Sequence, residues 1–142
     1  MINTAIELAV RAHSGQIDKG GQPYIFHPLR VMLSSRLTTE TARICAVLHD
    51  VLEDTTVQAE ELRAIFGSEI LSTLQVLTHP HGEPYKEYIS RVRTNPVAVE
   101  VKLADLDDNT LPSRQSYLDE STRTRLDKKY SMAYRMLLGE KE

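Results

Sequence analysis

The chain has one cysteine (Cys45), no tryptophan, two phenylalanines, and only six glycines and six prolines in 142 residues. A lone cysteine excludes an intrachain disulfide framework and any Cys-x-x-Cys metal site. Within an apolar stretch it is expected to pack as a small hydrophobe. Glycine and proline are too few and too scattered for a low-complexity tract, and no internal repeat is visible. No apolar run approaches the roughly 20 residues of a membrane span, and no basic segment leading into an apolar one opens the chain. A cytoplasmic protein without a membrane partner is therefore expected. Charge of one sign is also missing: 17 Lys and Arg against 20 Asp and Glu leave a net charge of −3. That leaves no electrostatic footprint for nucleic acid. It does not exclude a small anionic substrate, because a metal ion and a few local cations can reverse the field inside one pocket.

What is present is an ordinary apolar fraction, 41% hydrophobic against 26% charged, enough for a single domain with an unstapled core. The segments read as helix after helix. Asn3 or Thr4 can cap a first helix with Ile6, Leu8, Ala9, Val10 and Ala12 on its apolar face, ending near Ser14-Gly15. Asp18, Gly20, Gly21 and Pro23 break the next stretch into a loop. Pro28 fits the first position of a second helix. Thr38 or Thr39 caps a third, and Thr55 and Thr56 end it and begin a short fourth that stops at Gly67. Ser68 caps a fifth, residues 85–92 read as a sixth, and Asn95-Pro96 starts a seventh. Residues 97–103 also alternate with period two. Helix is preferred there because Asp105, Asp108 and Asn109 follow at helical spacing. A last helix runs from about 120 to 138. With no second strand to pair, the fold class is all-α, a compact helical bundle.

The most informative stretch is His49-Asp50-Val51-Leu52-Glu53-Asp54, at the end of the third helix and its buried apolar pattern. Ionisable groups are costly in such a place unless something binds them. Successive helical residues turn by about 100°, so His49 and Asp50 can share one cation while Glu53 and Asp54 lie one turn on. A neutral imidazole beside a carboxylate suits a divalent transition metal, and two further acids suit activation of a water. An adjacent pair does not close a site. His27, in Pro23-Tyr24-Ile25-Phe26-His27-Pro28, and Asp105, after the apolar run 101–104, are the two candidates to complete it.

The order His27, His49-Asp50, Asp105 resembles the H…HD…D pattern of the HD-domain metal phosphohydrolases. More narrowly, four stretches resemble the hydrolase domain of the RelA/SpoT family, including its stand-alone small alarmone hydrolases. They are Ala12-His13-Ser14-Gly15-Gln16, Gly21-Gln22-Pro23-Tyr24-Ile25-Phe26-His27-Pro28-Leu29, His49-Asp50-Val51-Leu52-Glu53-Asp54-Thr55, and Val101-Lys102-Leu103-Ala104-Asp105 with Asn109. The resemblance implies a single HD phosphohydrolase domain over residues 1–142, with His27, His49, Asp50 and Asp105 holding one divalent ion of the Mn²⁺ type. It further implies Glu53 and Asp54 as the water-activating pair, and Asn109 and Lys19 as contacts to the nucleotide. Lys102, one turn before Asp105, is a further candidate to offset phosphate charge. The implied reaction removes the 3′-pyrophosphate from (p)ppGpp, the alarmone of the stringent response. No synthetase domain is expected in this length.

Two positions depart from the family pattern. Asp18-Lys19 stands where bifunctional members carry Arg-Lys, replacing a cation near the base with an anion. Asp105-Leu106 stands where Asp-Arg is common. Neither touches an implied metal ligand, so hydrolysis is expected and base preference is left open. The rivals are an HD enzyme for another nucleotide, (p)ppApp or a nucleoside monophosphate, and a catalytically silent nucleotide sensor. A homo-oligomer is neither required nor excluded. The remaining polar residues read as structural. His13 suits a helix end, Arg11, Arg30 and Arg43 suit helix faces, His79 and His81 suit a surface loop, and Tyr24 suits packing with its hydroxyl bonded.

Overall fold

The computed structural model describes residues 1–139 as ten helices: α1 (Ile2–Ala12), α2 (Phe26–Met32), α3 (Glu40–Leu48), α4 (Val51–Asp54), α5 (Ala59–Phe66), α6 (Ser68–Leu77), α7 (Tyr85–Val92), α8 (Pro96–Asn109), α9 (Pro112–Gln115) and α10 (Glu120–Leu137). Among the described residues there is no strand, only an isolated bridge between Ile17 and Pro23. The stretch with two periodicities is helical. Asn95 caps it by accepting from the Ala98 N–H at 3.1 Å, and Pro96 takes the first position. Thr39 caps α3 through Ala42 N–H at 3.0 Å, and Asp119 caps α10 through Thr122 N–H at 2.7 Å.

Several expected boundaries move. α1 begins at Ile2, so Asn3 and Thr4 lie inside it and neither caps it. α2 begins at Phe26, placing Pro28 third rather than first. The whole first turn lacks intrahelical acceptors for its N–H groups, so proline is tolerated there too. α5 starts at Ala59, not at Thr55-Thr56, with the Glu61 side chain reaching back to Gln58 N–H at 3.3 Å. Gly67, at φ +92, ends α5 and caps α6, leaving Ser68 inside that helix. The acidic motif is not on one continuous helix either. The Ala46 carbonyl, which a continuing helix would give to Asp50 N–H, instead takes the His49 ring at 2.6 Å and the His49 N–H at 3.3 Å. The helix stops at Leu48, His49 and Asp50 form the joint, and α4 adds one more turn.

α3 packs against α1, α2, α6 and α8. Its residues 44–48 are all buried, the all-round apolar character of a central helix. α8 is its long partner, burying Val101, Leu103, Ala104 and Leu106. The C-terminal end of α3 and the second half of α8 therefore meet inside the buried core. Polar side chains placed there are held rigidly. Cys45 is completely buried in α3, and burial pushes its thiol up to about 12. A thiol reagent at pH 8 is therefore expected to leave the native chain unlabelled and to react fully once denaturant is added; rapid labelling of the native chain would contradict this packing.

Candidate functional site

Three elements bring the site together. His27 comes from the first turn of α2, His49 and Asp50 from the joint between α3 and α4, and Asp105 from the buried face of α8. His27 Nε2 lies 3.0 Å from Asp105 Oδ1, and His49 Nε2 lies 3.3 Å from the same oxygen and 3.1 Å from Asp50 Oδ2. Asp50 Oδ2 is 3.7 Å from His27 Nε2 and also accepts the Tyr24 hydroxyl at 2.6 Å. One donor atom each from His27, His49 and Asp105 falls within a 4.8 Å cluster, and all three residues are buried.

The chemistry of this set fits a metal ion. His49 Nδ1 donates to the Ala46 carbonyl, which turns Nε2 inward as the free nitrogen, and that buried nitrogen has no hydrogen-bond partner despite two carboxylate oxygens nearby. His27 is oriented in the same way, with Nδ1 2.6 Å from Asp108 Oδ2. Arg114 Nη1 also lies 2.7 Å from His27 Nδ1. Two donors cannot bond each other, and the Asp108 carboxylate, 3.0 Å from Arg114 Nη1, accepts a hydrogen bond from both. Two donors each about 2.1 Å from one ion lie roughly 3.0–3.4 Å apart; the contacts at 3.0, 3.1 and 3.3 Å match that spacing, and His27 to Asp50 at 3.7 Å is wider. Ring nitrogens fixed by a carboxylate or a carbonyl behind them are typical of metal-ligating histidines.

Charge is strongly coupled across the cluster. Burial pulls His49 and His27 down. Asp50 and Asp105 more than reverse this for His49, lifting it well above its usual value, and Asp105 and Asp108 raise His27. Burial likewise opposes the charges on Asp105 and Lys102. Their contact at 2.8 Å prevails, holding Asp105 well below and Lys102 well above the ordinary range. Protons shared between these groups occupy the place a cation would take, so a cation bound there would displace them.

Glu53 and Asp54 line the same cavity, which encloses about 230 Å³. Glu53 Oε1 accepts the His79 N–H at 2.9 Å. Among the described residues Asp54 has no such donor on its side chain. Burial, then Asp50 and Glu53, push its carboxyl up to about 6. Gln16 fixes its backbone, donating to the Asp54 carbonyl at 2.9 Å. A second cavity of about 280 Å³ adjoins the first, sharing Tyr24, Asn109 and Tyr130 as walls. Lys19 lies on this second cavity, away from the acids. Asn109 sits in the last turn of α8, donating to Asp105 Oδ1 at 3.2 Å, with no left-handed cap conformation.

Several residues that sequence reasoning treated as structural belong to the site. Asp108 is buried behind His27 and accepts from Arg30 Nε at 2.6 Å and Nη2 at 3.1 Å, so Arg30 is not a free helix-face charge. The i+3 spacing of Asp108 from Asp105 was a usable signal, since it puts both acids on neighbouring strips of one buried helix. His79 is in a loop but half-buried rather than free at the surface. Its ring stacks on Tyr88 at 4.6 Å and it lines the first cavity. Tyr85, Tyr88, Lys129 and Tyr130 complete that wall, and only long-range packing of α7 and α10 brings them there.

The HD domain family profile matches residues 5–85, a span that holds His27, His49, Asp50, Glu53 and Asp54. The chain belongs to the HD domain family. Proteins similar to this HD chain include a guanosine-3′,5′-bis(diphosphate) 3′-pyrophosphohydrolase of Borreliella burgdorferi, 43% identical over 79 residues, covering 54% of this chain and 12% of that protein. Another of the same name, from Aquifex aeolicus, is 34% identical over 119 residues, covering 76% of this chain and 17% of that one. A GTP pyrophosphokinase of Myxococcus xanthus is 36% identical over 80 residues, with 55% and 11% covered. The HD chain thus spans less than a fifth of the length of these relatives. Among solved structures, a metazoan ortholog of SpoT that hydrolyzes ppGpp superposes with a TM-score of 0.81 at 22% identity, over 96% of this chain and 84% of that one. That likeness is one of fold. No helix of the described residues is long and apolar enough to cross a membrane.

Proposed function

We propose that residues 1–142 form one cytoplasmic HD phosphohydrolase unit that removes the 3′-pyrophosphate from guanosine 3′,5′-bis(diphosphate)-type nucleotides. His27, His49, Asp50 and Asp105 hold one divalent ion of the Mn²⁺ type. The observation that carries this reading is the convergence of two oriented imidazole nitrogens and a buried carboxylate within 4.8 Å, in a cavity also lined by Glu53 and Asp54. The names of the relatives supply the substrate class.

When bound, the ion supplies positive charge that polarises a phosphoryl oxygen and acidifies a water. The chain supplies the rest. Water oxygen bonds to the phosphorus on O3′, the P–O3′ bond breaks with its electron pair on O3′, and O3′ takes up a proton. The products from ppGpp are GDP and pyrophosphate. Asp54 takes the proton of the attacking water, while Glu53, tethered by the His79 N–H, orients it. The second cavity, with Asn109 and Lys19 on its wall, holds the nucleoside.

The anion at position 18 keeps another nucleotide in view, because Asp18 lines that second cavity. Its Oδ1, however, accepts from Gly20 and Gln22 N–H, each at 2.9 Å, which commits the carboxylate to closing its own loop. Incubating the Mn²⁺-loaded chain with ppGpp, ppApp, GTP, dGMP and AMP, then separating products by anion exchange, tests the reading. Release of GDP and pyrophosphate from ppGpp, lost on chelation, is expected. Turnover of another nucleotide alone would move the substrate, and metal binding with no turnover of any would leave a sensor.

A further inference from the structure

The first cavity carries four acids, Asp50, Glu53, Asp54 and Asp105, on its lining. A substrate phosphate entering it needs cations that the protein has not already committed. Lys102 is committed, since its Nζ lies 2.8 Å from Asp105 Oδ2 and its side chain is only 13% exposed. Lys19 is on the other cavity, and Arg114 donates to Asp108 and Asn109. Lys129 is different. It comes from α10, lines the first cavity and not the second, and its Nζ rests 4.4 Å from the centre of the Tyr85 ring. The charge of Glu53 acts on it across the cavity, but among the described residues no hydrogen bond or ion pair holds its Nζ. Under it, the Tyr85 hydroxyl is buried and has no hydrogen-bond partner among the described residues.

An unpaired buried hydroxyl costs stability, and a half-buried lysine resting on an aromatic face without a hydrogen bond of its own retains donors for an anion. The two residues lie side by side on the wall that the nucleoside cavity does not share. We propose that Lys129 and Tyr85 form a phosphate subsite that receives the terminal phosphoryl group of the 3′-pyrophosphate, Lys129 by charge and Tyr85 by its hydroxyl proton. This rests on the function proposed above for the nucleotide, but the subsite itself is a binding site for a diphosphate. Burial lowers the Lys129 pKa from its usual value, which an incoming phosphate would reverse.

The test is calorimetric titration of the full chain with inorganic pyrophosphate, in excess Mg²⁺, alongside GDP as a probe of the nucleoside end. Lys129→Gln is expected to weaken pyrophosphate about 10–100-fold, the range for a hydrogen bond to a charged group. Tyr85→Phe should weaken it less, Lys129→Arg should restore it, and GDP affinity should hold in all three. In turnover, Lys129→Gln should raise KM for the 3′-pyrophosphate substrate, with thermal midpoints confirming folded variants. Unchanged pyrophosphate affinity in Lys129→Gln, or equal loss of GDP, overturns the subsite. Hydrolysis of ppGpp together with Lys129-independent pyrophosphate binding removes the subsite and leaves the proposed function. Lys129-dependent pyrophosphate binding without hydrolysis of any 3′-pyrophosphate nucleotide does the reverse.

Discussion

Replacing Asp54 by Asn is expected to lower turnover by about 10²–10⁴-fold, the usual worth of a positioned general base, while metal affinity stays unchanged. Asp54 stands outside the cluster formed by His27, His49 and Asp105. It is the better base of the two acids because its carboxyl is pushed up to about 6, whereas one oxygen of Glu53 is occupied by the His79 N–H. Glu53→Gln keeps an oxygen to accept that N–H and should cost less.

Stability provides an independent check with a definite sign. The folded Asp54 has a raised pKa, so between about 4 and 6 the native state binds more protons than the unfolded chain. Its charge therefore opposes folding above pH 6, and the opposition fades as pH falls. Asn removes that term, so the variant should melt no lower than wild type at pH 8. A bound cation lowers the Asp54 pKa, so the acid limb of the rate profile should lie below pH 6 in the loaded enzyme and vanish in Asp54→Asn. Near-normal turnover in that variant would remove Asp54 from the chemistry.

The helical frame was legible because its signals are local. Thr39 and Asn95 each accept an N–H three residues on, and each caps the helix it precedes. The histidines and acids of the motif could be ordered for the same reason. What the sequence hid is decided by side chains competing for one partner. The break at His49 arises because its ring takes a carbonyl that the backbone would have used. Lys102 was a fair candidate for phosphate until Asp105, three residues on, claimed it. Lys129 was unremarkable among the charges of α10 until packing set it on Tyr85. Arg30 read as a helix-face charge because its anion, Asp108, is 78 residues away, and Arg114 joins the same carboxylate only through the turn after α8.

That anion supports the other large effect. Asp108 is 5% exposed and gathers His27 Nδ1, Arg30 and Arg114 onto one carboxylate. Burial would raise its pKa, but His27 and Arg30 hold it down to about 2. Asp108→Ala leaves three donors facing a gap, and breaking a buried charge pair costs about 3–5 kcal/mol. Arg30 is 41% exposed and can rehydrate, so the lower end of that range is expected. His27 also loses the partner that keeps its Nε2 turned toward Asp105, and removing such a partner weakens metal binding about 10–100-fold. Asp108→Asn retains an acceptor for His27 and should recover part of the metal affinity without the charge. A depressed carboxyl stabilises the native state above its unfolded pKa and loses that contribution as pH falls toward 2. Urea unfolding from pH 5 to 2 should therefore show a shallower acid loss in the Ala variant than in wild type. Chelator competition measures the metal term separately. An Ala variant within about 0.5 kcal/mol of wild type, the scatter of neutral surface changes, and with equal metal affinity, would mean that His27 is oriented by its packing in α2 rather than by Asp108.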